Sequence, residues 1–509
     1  MTLLSPYRVL DLTDVRGQIA GLMLGDLGAD VIRIEGPEGS AARRVGPFLS
    51  DGPEDERSLS FAAYNQNKRG IVLDLDTVRD QERFLDLVRG ADFVIDSGPP
   101  SILDEAGLGF ERLRAANPQL VQVRVTPFGS DGPMADAPAA DLTIAALGGP
   151  MALQGFPDRA PVRISAPQVW RHAGAEAALA ALVGHARMRT TGEGVFIDVS
   201  AQAAMVWTTL QGAEASAIQG KDFERAAAEL QIGAVGIDLA HPCKDGHVIA
   251  LAIGSMFRAL EPWLIEEGQI GPDFGKREDW STYDLRIFGG GELDISREEL
   301  TELIRSFFAT KTKAELFSRG RALGVTIAPV QTIDDLLDFE QLAARRYFVD
   351  LELADGQRVH APGPFVRSTG FAFHPRRRSP ALGEHTEEIL QELERASRTR
   401  APAEFATPPT AFPFEGLKVA DFSWVGVGPI SGKSLADHGA NVIRIESETR
   451  GDVLRAAGPY KDNVPGWNRS HFFGEFNTSK RSLTLSLKHE RAGEVLPGIL
   501  EWADVILDS

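Results

Sequence analysis

The stretch Gly426–Ser434, GVGPISGKS, follows a β-rich run and combines glycines, a lysine and a serine. These are the residue types with which a strand-to-helix loop cradles phosphates. Its spacing departs from that chemistry. A phosphate loop of the form GxxxxGK[ST] ending at Lys433 needs glycine at 427, where Val427 stands; a dinucleotide GxGxxG beginning at Gly426 needs glycine at 431, where Ser431 stands. The stretch is read as a turn using glycine for backbone geometry, although Glu446, at the end of the next strand, falls where a ribose-binding acid would. No GxSxG elbow for serine hydrolysis and no HExxH metal pair occurs. His241 and His247 flank the turn CKDG and are read as turn and surface residues, not metal ligands. Cys243 stands alone, which excludes an intrachain disulfide framework and a cysteine-based zinc site. No metal site is expected.

The elements that must position any chemistry occur twice. GADVIRIE (Gly28–Glu35) returns as GANVIRIE (Gly439–Glu446), and YRVLDL (Tyr7–Leu12) is answered by LKVADF (Leu417–Phe422). NQNKR (Asn65–Arg69) is answered by NTSKR (Asn477–Arg481), and ADFVIDS (Ala91–Ser97) by ADVILDS (Ala503–Ser509). In order along the chain, this reads as one unit present twice, the second copy reaching only the equivalent of Ser97. Each copy opens with strand–helix–strand grammar: RVLDL, a helix-compatible Ala20–Leu27, VIRI, then IVLDL (Ile71–Leu75) and DFVID (Asp92–Asp96). That alternation predicts βαβ units and a parallel sheet. Residues 173–189 predict an Ala-rich helix with a basic end, followed by a turn and the strand VFIDVS.

The chain has 509 residues, room for several domains. The expected division is a large α/β domain over 1–214, a small domain over 215–322, a return to the large domain over 323–393, a linker over 394–414 rich in Ala, Pro, Thr and Arg, and the incomplete second copy over 415–509. A net charge of −19 argues against nucleic acid as a partner. The longest uncharged apolar run, Leu142–Pro157, is broken by Gly and Pro and falls short of the ~20 residues that span a bilayer. The start shows no signal-peptide pattern, so a cytoplasmic location with no membrane partner is expected.

Several stretches together resemble a known family. They are GADVIRIE, NQNKRGIVLDL, FGSDGPMADAPAADLTIAALGG (Phe128–Gly149), RTTGEGVFIDVS (Arg189–Ser200), GVTIAPVQTIDDLL (Gly324–Leu337) and PALGEHTEEIL (Pro380–Leu390). The chain is similar to the class III coenzyme A transferases, the formyl-CoA and carnitine CoA-transferase group that also holds α-methylacyl-CoA racemase. The resemblance implies a Rossmann-like large domain built from both ends of the unit, with a smaller domain inserted. It also implies an interlocked homodimer, or here an intramolecular pseudo-dimer. CoA or acyl-CoA would be substrate, with a carboxylic acid as the other partner and no permanently bound cofactor. In the family one aspartate attacks the thioester to give a mixed anhydride and CoA thiolate; the thiolate returns to form an enzyme thioester, which the acceptor acid attacks.

Carried over by position, the CoA contacts would be Arg16 and Gly17 in the first turn, Leu73, Asp74, Leu75 and Asp76 after NKRGIV, and Asp96, Ser97 and Gly98. Asn65, Lys68 and Arg69 could serve phosphates. The family aspartate's position is Trp170, in SAPQVWRHAG, and indole can neither attack a thioester nor carry an acyl group. Glu176 is the nearest acid that follows it. The family's arginine after the strand-2 glutamate is Gly36, and its CoA arginine after the Gly-Pro turn falls at Glu105. The second copy keeps Gly428-Pro429, Gly451-Asp452 and Arg455, and stops short of its own aspartate position. The racemase histidine's place is taken by Ala140. Three readings follow: a CoA-transferase, a silent acyl-CoA-binding or scaffolding unit, and, disfavoured, a racemase-like enzyme.

Overall fold

A computed structural model describes residues 2–49, 56–210, 212–220, 222–232, 235–289, 291–353, 355–371, 377–395 and 412–509. Most of the expected linker, 396–411, lies outside the described residues. The chain divides into two compact units: Met1–Met151 with Arg163–Phe223 and Tyr347–Ser509, and Ala152–Val162 with Glu224–Arg346.

In the first unit six parallel strands, β1 (Arg8–Asp11), β2 (Asp30–Glu35), β3 (Lys68–Val72), β4 (Phe93–Ser97), β5 (Val121–Thr126) and β6 (Val195–Ser200), lie in the order β3-β2-β1-β4-β5-β6. Their side chains alternate between two cores. Val9, Val31, Phe93, Ile95 and Val123 enter one; Leu10, Ile32, Ile34 and Val94 enter the other. A sheet covered on both faces explains the near-continuous apolar runs. β3 ends at Val72, earlier than the run Ile71–Leu75 suggests, because Asp74 already begins a turn whose carbonyl accepts from Thr77 N.

The first core is covered by α1 (Gln18–Asp26), the short α2 (Asp141–Leu147) and the long α3 (Val169–Thr191). Small residues let α3 approach closely. A Cβ on Gly174 would stand 2.0 Å from Ile19 Cγ2, and one on Gly184 would stand 2.6 Å from Ile197 Cδ1. Gly192 ends α3 in the left-handed region at φ 76°, the backbone state that only glycine adopts freely.

The second unit holds a hairpin, β7 (Glu229–Ile232) with β8 (Val235–Asp238), and an antiparallel sheet of β9 (Ala240–Cys243), β10 (Gly246–Ala250) and β11 (Ile327–Pro329). Its core gathers Phe257, Leu260, Phe307 and Phe308 from α4 (Gly254–Glu266) and α5 (Arg297–Phe308). The small-domain boundary drawn at 322 therefore moves. β11, beyond that boundary, pairs with β10, and the unit runs as far as Arg346 and also takes Ala152–Val162. His241 is not a surface residue: its ring is buried and Nε2 meets Ala250 O at 3.1 Å.

The first unit resumes with a hairpin, β12 (Phe348–Glu352) and β13 (Arg358–Pro362), and α6 (Thr386–Arg395). A separate four-stranded parallel sheet follows, from β14 (Lys418–Asp421), β15 (Asn441–Glu446), β16 (Arg481–Thr484) and β17 (Val505–Leu507). Its order, β16-β15-β14-β17, repeats β3-β2-β1-β4. α7 (Val427–Asp437) and α8 (Ala492–Trp502) flank it.

Candidate functional site

The order of the first sheet reverses between β1 and β4, since β1 leads to β2 on one side and β4 to β5 on the other. A crevice opens at such a switch point, outside the carboxyl ends of the two strands. Here the loops after β1 and β4 meet: Asp14 N donates to Ser97 Oγ at 3.3 Å, and Arg16 Nη1 donates to Pro99 O at 2.9 Å. Gly17 cannot carry a side chain in this arrangement, because a Cβ would stand 2.8 Å from Thr13 Cγ2.

Beneath the crevice a buried polar network fixes the loops. Lys68 Nζ binds Asp11 Oδ2 at 2.7 Å, Gln18 O at 2.9 Å and Asn65 Oδ1 at 2.9 Å. Arg33 reaches Asp11 at 3.1 Å, and Thr13 Oγ1 donates to the same carboxylate at 2.6 Å. Burial alone would raise the Asp11 carboxyl, but Lys68 and Arg33 reverse this and hold it below its usual range. Burial pulls the Lys68 ammonium down to about 8, against the attraction of Asp11. Lys68 and Asn65 are thus committed inside the protein and do not face a phosphate. Arg69 is likewise engaged, with Asp30, Glu388 and Glu392.

The residues singled out for CoA contact separate into two places. Arg16, Gly17, Ser97 and Gly98 line the switch point. Asp96 is wholly buried there, accepting from Ser101 Oγ at 2.8 Å and from Arg124 Nε at 2.8 Å, so its side chain does not face the crevice. Leu73, Asp74, Leu75 and Asp76 follow the edge strand β3, and Leu73 and Leu75 point into the second core. Gly36 borders open space, a Cβ meeting nothing within 4 Å, and Glu105 is exposed.

Trp170 is the second residue of α3 and packs, partly buried, against the first core. An acid does reach this turn: Asp141 Oδ2 accepts from Val169 N at 2.9 Å, tying α2 to the start of α3. That carboxylate satisfies the first N–H of the helix, where negative charge is favoured. Glu176 lies six residues further along α3, about 9 Å up the axis and roughly 240° around it. Its carboxyl is raised by burial, with His172 opposing. Ala140 offers no proton-transfer group.

The second sheet builds the same network. Lys480 Nζ binds Asp421 at 2.8 Å, Pro429 O at 2.8 Å and Asn477 Oδ1 at 3.0 Å. Arg444 bridges Asp421 at 3.3 Å and Asp452 at 2.7 Å. At the carboxyl ends of β14 and β17, Trp424 N donates to Ser509 Oγ at 2.8 Å, and the Arg450 guanidinium lies 4.7 Å over the Trp424 ring. Arg455 is held by Glu446 at 2.7 Å and covers the Phe473 ring at 3.6 Å.

The model of CoA-transferase family III matches residues 4–386 and 414–509. The chain belongs to this family. It is 34% identical over 397 residues to a succinyl-CoA:(R)-benzylsuccinate CoA-transferase subunit of Thauera aromatica, covering 76% of this chain and 93% of that one. A probable CoA-transferase of Mycobacterium tuberculosis is 31% identical over 443 residues, 85% of this chain and 52% of its own length, so the chain spans about half of that relative. Among solved structures, a CaiB/BaiF family protein from Brucella suis superimposes with a TM-score of 0.65 at 29% identity, over 77% of this chain and 99% of that one.

Some residues of this CoA-transferase family III chain escape a reading of the sequence. Arg124, on β5, reaches the switch point only through the fold. Glu214, His471 and Glu475 bring ligand atoms within 4.8 Å of one another, a group able to hold a cation, although Lys433 already stands 3.9 Å from Glu475. More than 250 residues separate Glu214 from His471, so no motif could announce them. No helix among the described residues is long and apolar enough to cross a membrane.

Proposed function

We propose that this chain is a CoA-transferase-family unit that binds acyl-CoA, with CoA moving between acyl-CoA and a carboxylic acid on an aspartate supplied by another unit. The observation that carries this reading is Trp170. At the position of the family aspartate an indole packs into the core, and the carboxylate that reaches the same turn, Asp141, is bound to backbone N–H. Succinyl-CoA is the natural first substrate to test, since it stands in the name of the Thauera aromatica relative.

On this reading residues 415–509 are an incomplete second copy of the large domain, and the family's interlocked pairing would join two units into one working assembly. Strand order and the Asp–Lys–Asn–Arg network support the repeat. The second crevice offers an aromatic face with an arginine, Trp424 and Arg450, suited to a nucleotide base and its phosphates. In the first crevice Arg16 and the backbone of Gly17, Ser97 and Gly98 would make the contacts. A racemase-like reading is disfavoured by Ala140 and Trp170.

Calorimetric titration with CoA and with succinyl-CoA should show saturable binding, weakened by Arg450→Ala. The chain alone should give no acyl-enzyme trappable by hydroxylamine, and Trp170→Asp should create one. A trapped acyl group on the unaltered chain, or no CoA binding at all, overturns the reading.

A further inference from the structure

In the first unit, residues 377–395 strap the outer edge of β3. Gly70 N donates to His385 Nδ1 at 3.2 Å, His385 N donates to Gly70 O at 2.9 Å, and Val72 N donates to Thr386 Oγ1 at 3.1 Å. α6 then lays two glutamates on the arginines at the amino end of the sheet. Arg69 binds Glu388 at 2.9 Å and Glu392 at 2.6 Å, Arg8 reaches Glu392 at 3.1 Å, and Ile389 is wholly buried between them and the core.

Among the described residues, the same corner of the second sheet carries no such helix. Arg8 pairs in register with Asp30, as Lys418 does with Asn441; Ile32 pairs with Arg69, as Ile443 does with Arg481. Where α6 sits in the first case, the second has a pocket of about 380 Å³ lined by Lys418, Asn441, Ser479 and Arg481 among others. Asn441 Oδ1 is buried there without a hydrogen-bond partner. Among the described residues the Lys418 and Arg481 side chains have no ion pair, and β16 presents an unpaired, largely exposed edge. Glu415 shares the lining, so attraction of charge alone does not define the occupant; the strand edge beside it does.

We propose that this pocket and the β16 edge form a docking site for an acidic helix of the α6 type on a partner polypeptide. Such a helix carries two glutamates four residues apart, with an apolar residue following the first. The glutamates would meet Lys418 and Arg481, the preceding strap would pair with Ser482 and Thr484, and the apolar residue would enter the pocket. Neither CoA binding nor acyl transfer takes part in this docking.

A synthetic peptide of residues 377–395, labelled and titrated into the full chain, should bind saturably and in a salt-sensitive way. Arg481→Glu, at an exposed position, should weaken binding about tenfold or more. A peptide carrying Glu388→Lys and Glu392→Lys should not bind. Amide exchange should slow at Ser482 and Thr484 when the peptide is present. Absence of binding at about 1 mM peptide, indifference to Arg481→Glu, or protection appearing at β3 in place of β16 would each overturn the proposal.

Discussion

The two parallel sheets share a polar centre and differ in what surrounds it. In both, an aspartate at the end of the central strand is gripped by a lysine, an arginine and the hydroxyl of the residue two positions on. The first sheet is extended by β5 and β6 and covered by α3 and α6, and Asn65 is fully buried. The second ends at β17, its helix α8 buries little beyond Ala492, and Asn477 is only half-buried. The network is local to one strand–helix–strand unit, so it forms in either setting. Its desolvation, and hence the cost of breaking it, depends on the added layers.

The largest expected effect comes from Lys68→Met, which leaves buried Asp11 to Arg33 alone and takes the donor from Asn65 Oδ1, and should cost about 3–5 kcal/mol in the first sheet. Lys480→Met should cost less in the second, about 2 kcal/mol, because its partner Asn477 is only half-buried, although Asp421 is wholly buried. Site-resolved hydrogen exchange at β1 and β14 measures each separately; equal losses would break the comparison.

A difference of one side chain comes next. Asp452 Oδ1 caps Leu454 N at 2.9 Å while Oδ2 binds Arg444, whereas its counterpart Ser40 only caps Ala42 N, at 3.2 Å. Asp452→Ser should destabilise the second sheet by about 2 kcal/mol, and Ser40→Asp should stabilise the first by about 1 kcal/mol by giving Arg33 a second carboxylate. A Ser40→Asp variant with no gain in protection at β2 would show that Arg33 is already satisfied.

The smallest effect is in pH. Asp11, Asp14, Asp30 and Glu35 are each driven up by burial and pulled further down by arginine or lysine partners, so they ionise below their usual range. Carboxyls held low in the folded state contribute stability that is present above about pH 4 and is lost as pH falls through their folded values. Protection of β1 and β2 should therefore drop more steeply as pH falls below about 5 than that of β14 and β15. Parallel slopes would mean that the ion pairs are equally strained in both sheets.

Periodicity and repetition made β1, β2, β4 and β6 legible, because each is a short apolar run closed by a turn residue. Motif order was enough to place the chain in its family. It could not tell a ligand contact from a structural one. Lys68, Asn65 and Arg69 look like phosphate ligands in sequence, yet Lys68 and Arg69 are held in ion pairs whose partners lie 39 to 323 residues away, and Asn65 is bound to Lys68 and Gln18. Leu73–Asp76 and Arg16–Gly17 look like parts of one site, yet sheet order sets them two strands apart.

The identity of residue 170 was fixed by the sequence: an indole cannot become a nucleophile in any fold. What the nearest acid in space does was decided by tertiary structure. Asp141, 29 residues earlier, reaches the same turn and accepts from the first N–H of α3. Side-chain chemistry is a property of the residue, but which partner a charged group finds depends on the packing of distant elements, because long-range approach and exclusion of water arise only when those layers close.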